Sequence, residues 1–496
     1  MNTVKPLLII IIIFFASILY GQEEDYSSLF DDEDSGTGEV EEESDKGKFD
    51  FDFYGEHSFD YFLPLDKNSF DFEGPLAPGL LNSFGLEIKT DKIKIISDWE
   101  LSLILSRGAS WDNILIARPL ENLIEISAGK LKFGIGYQYI SWGTADEVNP
   151  TDNLNPKDYR RILSGEKIPL FSAQFSIYPV DFLSIDFVYA PFEQNDLFPV
   201  EIADKIPDTV FGSGKNVVRE ELSFSPKSMI TGGKINFYFP VIDFSFSYLY
   251  DIDPQYTPVI LLDTSTSPDT IDSIRLKRLR IHRIGFDLKA SVKDFGIWLE
   301  SCYSITEDPT ASSYKIRNSH FDWTAGFDYS KEKFYTNIQT TGRWIQNFDN
   351  SFYSDYPGGY PEAGNANNRT YMEKYYYRLF ARNMETEGLN IGLLARFKWT
   401  LLDSMLEPSL SAGYFLPFLY DRDYDKKYGS LFLNPEIEIE PLESFSIVLG
   451  ANLYYAWHKE KGSDRISLNY NDRIGQFKTD SSIYLSLKYN WNISRE

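Results

Sequence analysis

From Phe49 onward the dominant pattern in the chain is alternation with a period of two. Trp99-Glu100-Leu101-Ser102-Leu103 places apolar side chains on one face and polar ones on the other. Leu131-Lys132-Phe133-Gly134-Ile135-Gly136-Tyr137-Gln138-Tyr139 and Phe321-Asp322-Trp323-Thr324-Ala325-Gly326-Phe327-Asp328-Tyr329 do the same. A turn of 180° per residue makes each segment a strand with one greasy face. The runs are about 9–14 residues long, the length a tilted strand needs to cross a bilayer.

The breaks between runs alternate in length. Very short ones fall at Thr90-Asp91, Gly129-Lys130, Pro179 to Asp181, Pro240, Lys293-Asp294, Ser330 to Glu332, Leu402 to Ser404 and Glu440 to Leu442. Longer polar stretches lie between them, near 57–79, 106–120, 141–167, 191–228, 252–279, 305–317, 347–387, 417–427 and 459–480. Short turns on one side and long loops on the other are the habit of outer-membrane barrels. A closed antiparallel barrel needs an even number of strands. Assigning Lys48–Glu56 as the first, with Phe49, Phe51 and Phe53 outward, the pattern predicts an all-β transmembrane barrel of 18 strands, with 16 as the second choice. A stack of soluble β-sandwiches has no reason to alternate its loop lengths.

Composition agrees. Aromatic residues make up 16% of the chain, with 33 Tyr and 38 Phe, yet hydrophobic residues total only 43%. Strand formers and loop formers are both favoured over helix formers. Trp99, Trp298, Trp323, Trp344, Trp399 and Trp457 are expected at the membrane interfaces. One cysteine, Cys302, and four histidines exclude a disulfide scaffold and leave little for a metal site. A net charge of −26 excludes nucleic acid as a partner. Leu7 to Leu19 is an apolar run too short to span a bilayer, so residues 1–21 read as a cleaved signal peptide. Residues 22–47 read as a disordered acidic tether, with twelve Asp or Glu between positions 23 and 45. Residues 48–496 are the barrel. Its final strand alternates from Ile483 to Tyr489 and Trp491, the form of signal read by the barrel-insertion machinery.

By alternation the lumen receives Glu100, Lys132, Gln138, Glu300, Asp322, Asp328, Arg343, Arg396, Lys398, Glu407, Glu436 and Glu438. No nucleophile motif accompanies His282 or His320, and no cofactor or metal site is indicated, so an enzyme is not expected. The most distinctive segment is Ser141 to Arg161, with two Asn-Pro-x-Asp units six residues apart. Asn before Pro is pushed out of the helical region, and the following Asp accepts backbone N–H bonds, so two in tandem form a stiff loop. That loop is a candidate constriction, with Asp146, Asp152 and Asp158 set against Lys157, Arg160 and Arg161. The aspartates equally serve as caps for their own turns.

Trp142, Gly143, Asp146, Asn149, Pro150, Asp152, Asn155, Pro156 and Asp158 form a WG-x-x-D…NP-x-D-x-x-NP-x-D pattern. This pattern resembles the signature of an uncharacterised bacterial outer-membrane β-barrel family that is porin-like in architecture. The resemblance implies the outer membrane of a diderm bacterium, outer-membrane lipids as surroundings, and passage of small solutes or of envelope lipids and hydrophobes beside an RND-type exporter. It carries no reaction or ligand. The competing expectation is a surface adhesin or receptor that binds through the loops at 191–228 and 347–387.

Overall fold

The computed structural model describes residues 50–65, 78–104, 115–145, 147–158, 166–192, 216–219, 228–253, 257–263, 265, 270–313, 315–348, 388–417, 429–459, 466–467 and 481–495. The expected signal peptide and tether, Asp146, Arg160 and Arg161 lie outside them.

Eighteen strands close into one antiparallel barrel. In chain order they are β1 (Asp50–Pro64), β2 (Gly79–Lys89), β3 (Ile93–Ile104), β4 (Leu115–Ala128), β5 (Leu131–Gln138) and β6 (Leu170–Val180). Then come β7 (Leu183–Ala190), β8 (Ile230–Tyr238), β9 (Ile242–Ile252), β10 (Arg280–Val292), β11 (Phe295–Thr306) and β12 (His320–Lys331). The circuit ends with β13 (Phe334–Ile345), β14 (Leu389–Trp399), β15 (Leu406–Pro417), β16 (Gly429–Leu442), β17 (Phe445–Lys459) and β18 (Ser482–Arg495). Each strand pairs with its neighbours in the chain, and β1 pairs with β18 from Phe51↔Arg495 to Pro64↔Ser482. Closure leaves no open sheet edge, which a strand in hydrocarbon cannot tolerate because its N–H and C=O groups would have no partner.

Five of the eight short turns fall where expected. Those expected at Pro179 to Asp181 and Ser330 to Glu332 sit at Asp181-Phe182 and Glu332-Lys333, since Val180 still pairs with Leu183 and Lys331 with Phe334. The last is displaced further. That one sits at Glu443-Ser444, since Leu442 still pairs with Phe445. Gly129, Lys293 and Glu332 take φ of 60°, 56° and 48°, the left-handed geometry that a tight hairpin turn asks of one residue. β1 runs on to Pro64, eight residues past the expected end at Glu56. The polar residues read there as loop are lumen-facing: Asp60 accepts from the Ser486 hydroxyl at 2.6 Å across the closing seam. Between β9 and β10, the strand Thr257–Asp263 pairs antiparallel with Thr270–Lys277, and Asn216–Arg219 pairs with the latter in parallel.

Outward positions are apolar and open. Phe84, Ile126, Phe133, Phe187, Phe246, Ile284, Ile297 and Leu449 all belong to this face. With water outside, such a surface would be unstable; facing hydrocarbon, it is the seat of the fold. Trp99, Trp344 and Trp399 share the outward face. Trp298 does not, contrary to the expectation of an interfacial ring. Its neighbours Ile297 and Leu299 point out, and the indole is buried inside against Gly326, where a Cβ would lie 2.8 Å from the ring.

Candidate functional site: the inward segment at 139–158

After β5 the chain does not rise away from the barrel. Residues 139–145 and 147–158 fold inward and pack on the lumen faces of strands from β4 to β11. Two wall glycines make room for them. A Cβ on Gly232 would lie 2.9 Å from Trp142, and one on Gly285 would lie 3.1 Å from the Thr151 methyl. Trp142 and Leu154 thereby join Leu170, Val188, Ala190, Ile230 and Leu249 in an apolar cluster inside the barrel.

Glu300 on β11 holds this segment to the wall. Its side chain is fully buried, and its carboxylate accepts the backbone N–H of Thr144, that of Ala145 at 2.6 Å and that of Thr151 at 3.4 Å. The Thr151 hydroxyl adds a bond of 3.0 Å and the Thr144 hydroxyl one of 3.3 Å. Backbone N–H groups converging on a carboxylate neutralise it much as a cation would. Both strokes of the segment are thus fastened to one side chain. Gly143 lies where a Cβ would come within 3.0 Å of Glu300 and 2.9 Å of Asn149, so the chain can approach only without one.

Of the two Asn-Pro units only the first closes as the expected turn; in the second, Lys157-Asp158 pairs as a short strand with Glu166-Lys167. The Asp152 N–H donates to the Asn149 carbonyl at 3.2 Å across Pro150. Asn155 ties the entry and exit of the segment together. Its Oδ1 accepts from the Ile140 N–H at 2.7 Å, while its Nδ2 donates to the carbonyls of Gln138 at 3.0 Å and Ile168 at 2.9 Å. The Pro156 carbonyl accepts from Ile168 at 2.7 Å. Asp152 accepts from the Trp142 N–H at 3.4 Å and pairs with Lys167 at 2.6 Å. Asp158 pairs with Arg118 of β4 at 2.9 Å, and Arg118 also meets Glu100 of β3 at 2.7 Å. Both aspartates are therefore buried and neutralised in ion pairs, neither presented as open pore charges nor confined to capping their own turns.

The remaining sequence-derived lumen residues spread around the wall. Gln138 donates to the carbonyl and hydroxyl of Ser172, each at 2.9 Å. Arg343 grips Asp322 with two bonds of 2.5 and 3.0 Å, a fork that fixes both side chains. Lys398 pairs with Glu407, which also accepts from the Thr400 hydroxyl at 3.1 Å. Glu436 accepts from the Tyr484 hydroxyl at 2.5 Å. Arg396 and Glu438 occupy the same inner parity of β14 and β16, but these pairs do not join the inward segment. Tyr489 and Trp491 lie on the outer face of β18, where Trp491 meets Phe53 edge to face at 4.8 Å. Among the described residues, no cluster of three His, Cys, Asp or Glu side chains is arranged for a metal ion.

Four residues central to this geometry were absent from the sequence-derived set. Arg118 was hidden because 106–120 reads as loop, although β4 already begins at Leu115. Lys167 lies just beyond the motif. Lys234 and Asp287 alternate with outward residues on β8 and β10 and were within reach of a parity argument; they pair at 3.1 Å, and Lys234 also donates to the Trp142 carbonyl.

No protein-family model matches the chain, and no curated protein matches it. Solved structures do. OccAB1 of Acinetobacter baumannii is 8% identical, with 92% of this chain and 100% of that chain covered and a TM-score of 0.50. OpdK of Pseudomonas aeruginosa with vanillate is 8% identical over 90% of this chain and 99% of that one, TM-score 0.48. OccK2 (OpdF) of the same organism, in complex with glucuronate, is 10% identical over 91% and 99%, TM-score 0.47. At such identities the likeness speaks to architecture alone: the chain has the closed 18-stranded antiparallel fold of outer-membrane porins.

Proposed function

We propose that this protein is an outer-membrane channel for small polar solutes, reached through the signal peptide at 1–21, and that residues 139–158 set its selectivity from inside the barrel. A barrel of this size encloses more space than wall side chains fill. The observation that carries the reading is the fastening of the inward segment to Glu300 at both of its strokes. So many bonds to one buried carboxylate make a standing constriction rather than a swinging gate. The rest of the lumen carries ion pairs such as Arg343–Asp322 and Lys398–Glu407. Fixed charges of both signs create a transverse field that suits polar cargo and opposes apolar cargo. That favours small solutes over envelope lipids or hydrophobes handed on by an RND-type exporter. The test is conductance of the refolded full chain in a planar bilayer, with and without residues 144–158. The deletion is expected to raise conductance and relax ion discrimination. Unchanged conductance would overturn the constriction, and absence of any current would favour the adhesin reading.

A further inference from the structure

Beneath the inward segment, on the side of the short turns, β6 to β10 wall a chamber of about 340 Å³ roofed by residues 139–142. A recess of about 220 Å³ adjoins it, and the two share Gln174 and Asp186. The charges facing these spaces do not cancel evenly. Lys132 pairs with Glu125 at 2.8 Å, and Lys234 pairs with Asp287 at 3.1 Å. Lys289 stands opposite Asp243 in the β9–β10 register. Asp186 faces Lys234 across the β7–β8 register, but the Lys234 ammonium is turned to Asp287 and the Trp142 carbonyl. Among the described residues, the hydrogen bonds given to the Asp186 carboxylate come from neutral donors, the Ser176 hydroxyl at 2.6 Å and the Asn236 amide at 2.7 Å. Asp186 stays partly open to both spaces, flanked by exposed rings: Tyr178 lines the recess and Tyr238 the chamber.

We propose that Asp186 is the anchor of a binding subsite for the ammonium group of a small primary amine. An ammonium accepts no bonds and supplies three donors to oxygens, and the Tyr178 and Tyr238 rings line the same two spaces. A divalent metal is a poor fit, because it asks for several converging carboxylate and carbonyl oxygens, and among the described residues no three His, Cys, Asp or Glu side chains are arranged that way. The chamber lies within the size range of small-molecule sites. Lys234, pinned by Asp287 and the Trp142 carbonyl, couples the roof of the chamber to the constriction above it.

The subsite rests on the channel reading only for how the amine arrives, so it is tested by binding rather than by current. Titration calorimetry of the detergent-solubilised full chain would use ethanolamine, with ethylene glycol and glycolate as neutral and anionic counterparts of the same skeleton. Saturable binding of ethanolamine alone is expected. Asp186→Asn, which keeps both hydrogen-bonded neighbours, should weaken it about tenfold or more, since a charge-assisted bond is lost. Asn236→Asp, placing a second carboxylate beside the first, should tighten it, and gel mobility of the unheated barrel reports that each variant is folded. Equal binding of the three probes, no ethanolamine binding, or binding that ignores both substitutions would overturn the subsite. A conducting barrel with that result would leave the channel reading standing.

Discussion

Glu300→Ala should free the inward segment while leaving the barrel closed. The substitution removes an acceptor shared by three backbone N–H groups and two hydroxyls, all on residues 144–151. Each buried donor left without an acceptor costs about 1–3 kcal/mol, and bonds to one carboxylate are not additive. Partial recovery by rearrangement brings the net effect to roughly 3–5 kcal/mol. At about 1.4 kcal/mol per tenfold, the population of the detached segment rises by at least ~100-fold. Glu300→Gln keeps an oxygen but loses the charge and presents an amide to N–H donors, so about 1–3 kcal/mol is expected. The strand ladder from β10 to β12 involves backbone pairs that neither change touches. Single-channel recording is the assay. Wild type should show steady current, Glu300→Ala larger and noisier current, and Glu300→Gln intermediate behaviour, all with heat-resistant barrel mobility on gels. Current from Glu300→Ala that matches wild type in size and noise would refute the argument that this carboxylate holds the constriction.

Three further outcomes follow from the same geometry. Cysteine at Glu438 should react with a water-soluble thiol reagent in intact membranes, and cysteine at the exposed apolar position Ile437 should be spared; equal labelling would break the strand register. Replacing Arg343 and Lys398 by Gln strips the partners from Asp322 and Glu407, so cation over anion permeability should rise, read as a shifted reversal potential across a salt gradient. In the loop after β11, desolvation works against the charge of Asp308, but the Ser313 N–H at 2.5 Å and the hydroxyls of Thr310 and Ser312, each at 3.0 Å, outweigh it and hold the carboxyl below its ordinary range. A carboxyl lowered by folding stabilises the loop above the unfolded value near ~4 and loses that contribution as pH falls through the folded value; protection of the Ser313 amide, taken relative to its intrinsic exchange rate at each pH, should fall there, and a flat protection profile would remove the role.

The amino-acid sequence by itself determined the class of fold, because its signals are local. Alternation decides which face of a strand meets hydrocarbon, and the short breaks at Gly129-Lys130 and Lys293-Asp294 mark turns within a few residues. Trp298 was misread as an interfacial ring, although Ile297 and Leu299 on either side already carry the outward parity of β11. Where the reading slipped, at Ser58 and Asp60 or at Arg118, polar lumen residues were mistaken for loop, since polarity alone does not separate a water-filled interior from the exterior. That the Asn-Pro segment is a distinct structural unit was legible too. Where it lies was not. Glu300 is 156 residues from Thr144 and 149 from Thr151, and nothing in either neighbourhood names the other. Only closure of β1 on β18 curves β3, β4, β8, β10 and β11 around one lumen, bringing Arg118, Gly232, Gly285 and Glu300 to the same inward segment. Contacts of that kind depend on barrel radius and strand stagger, which are properties of the closed sheet and of no single strand.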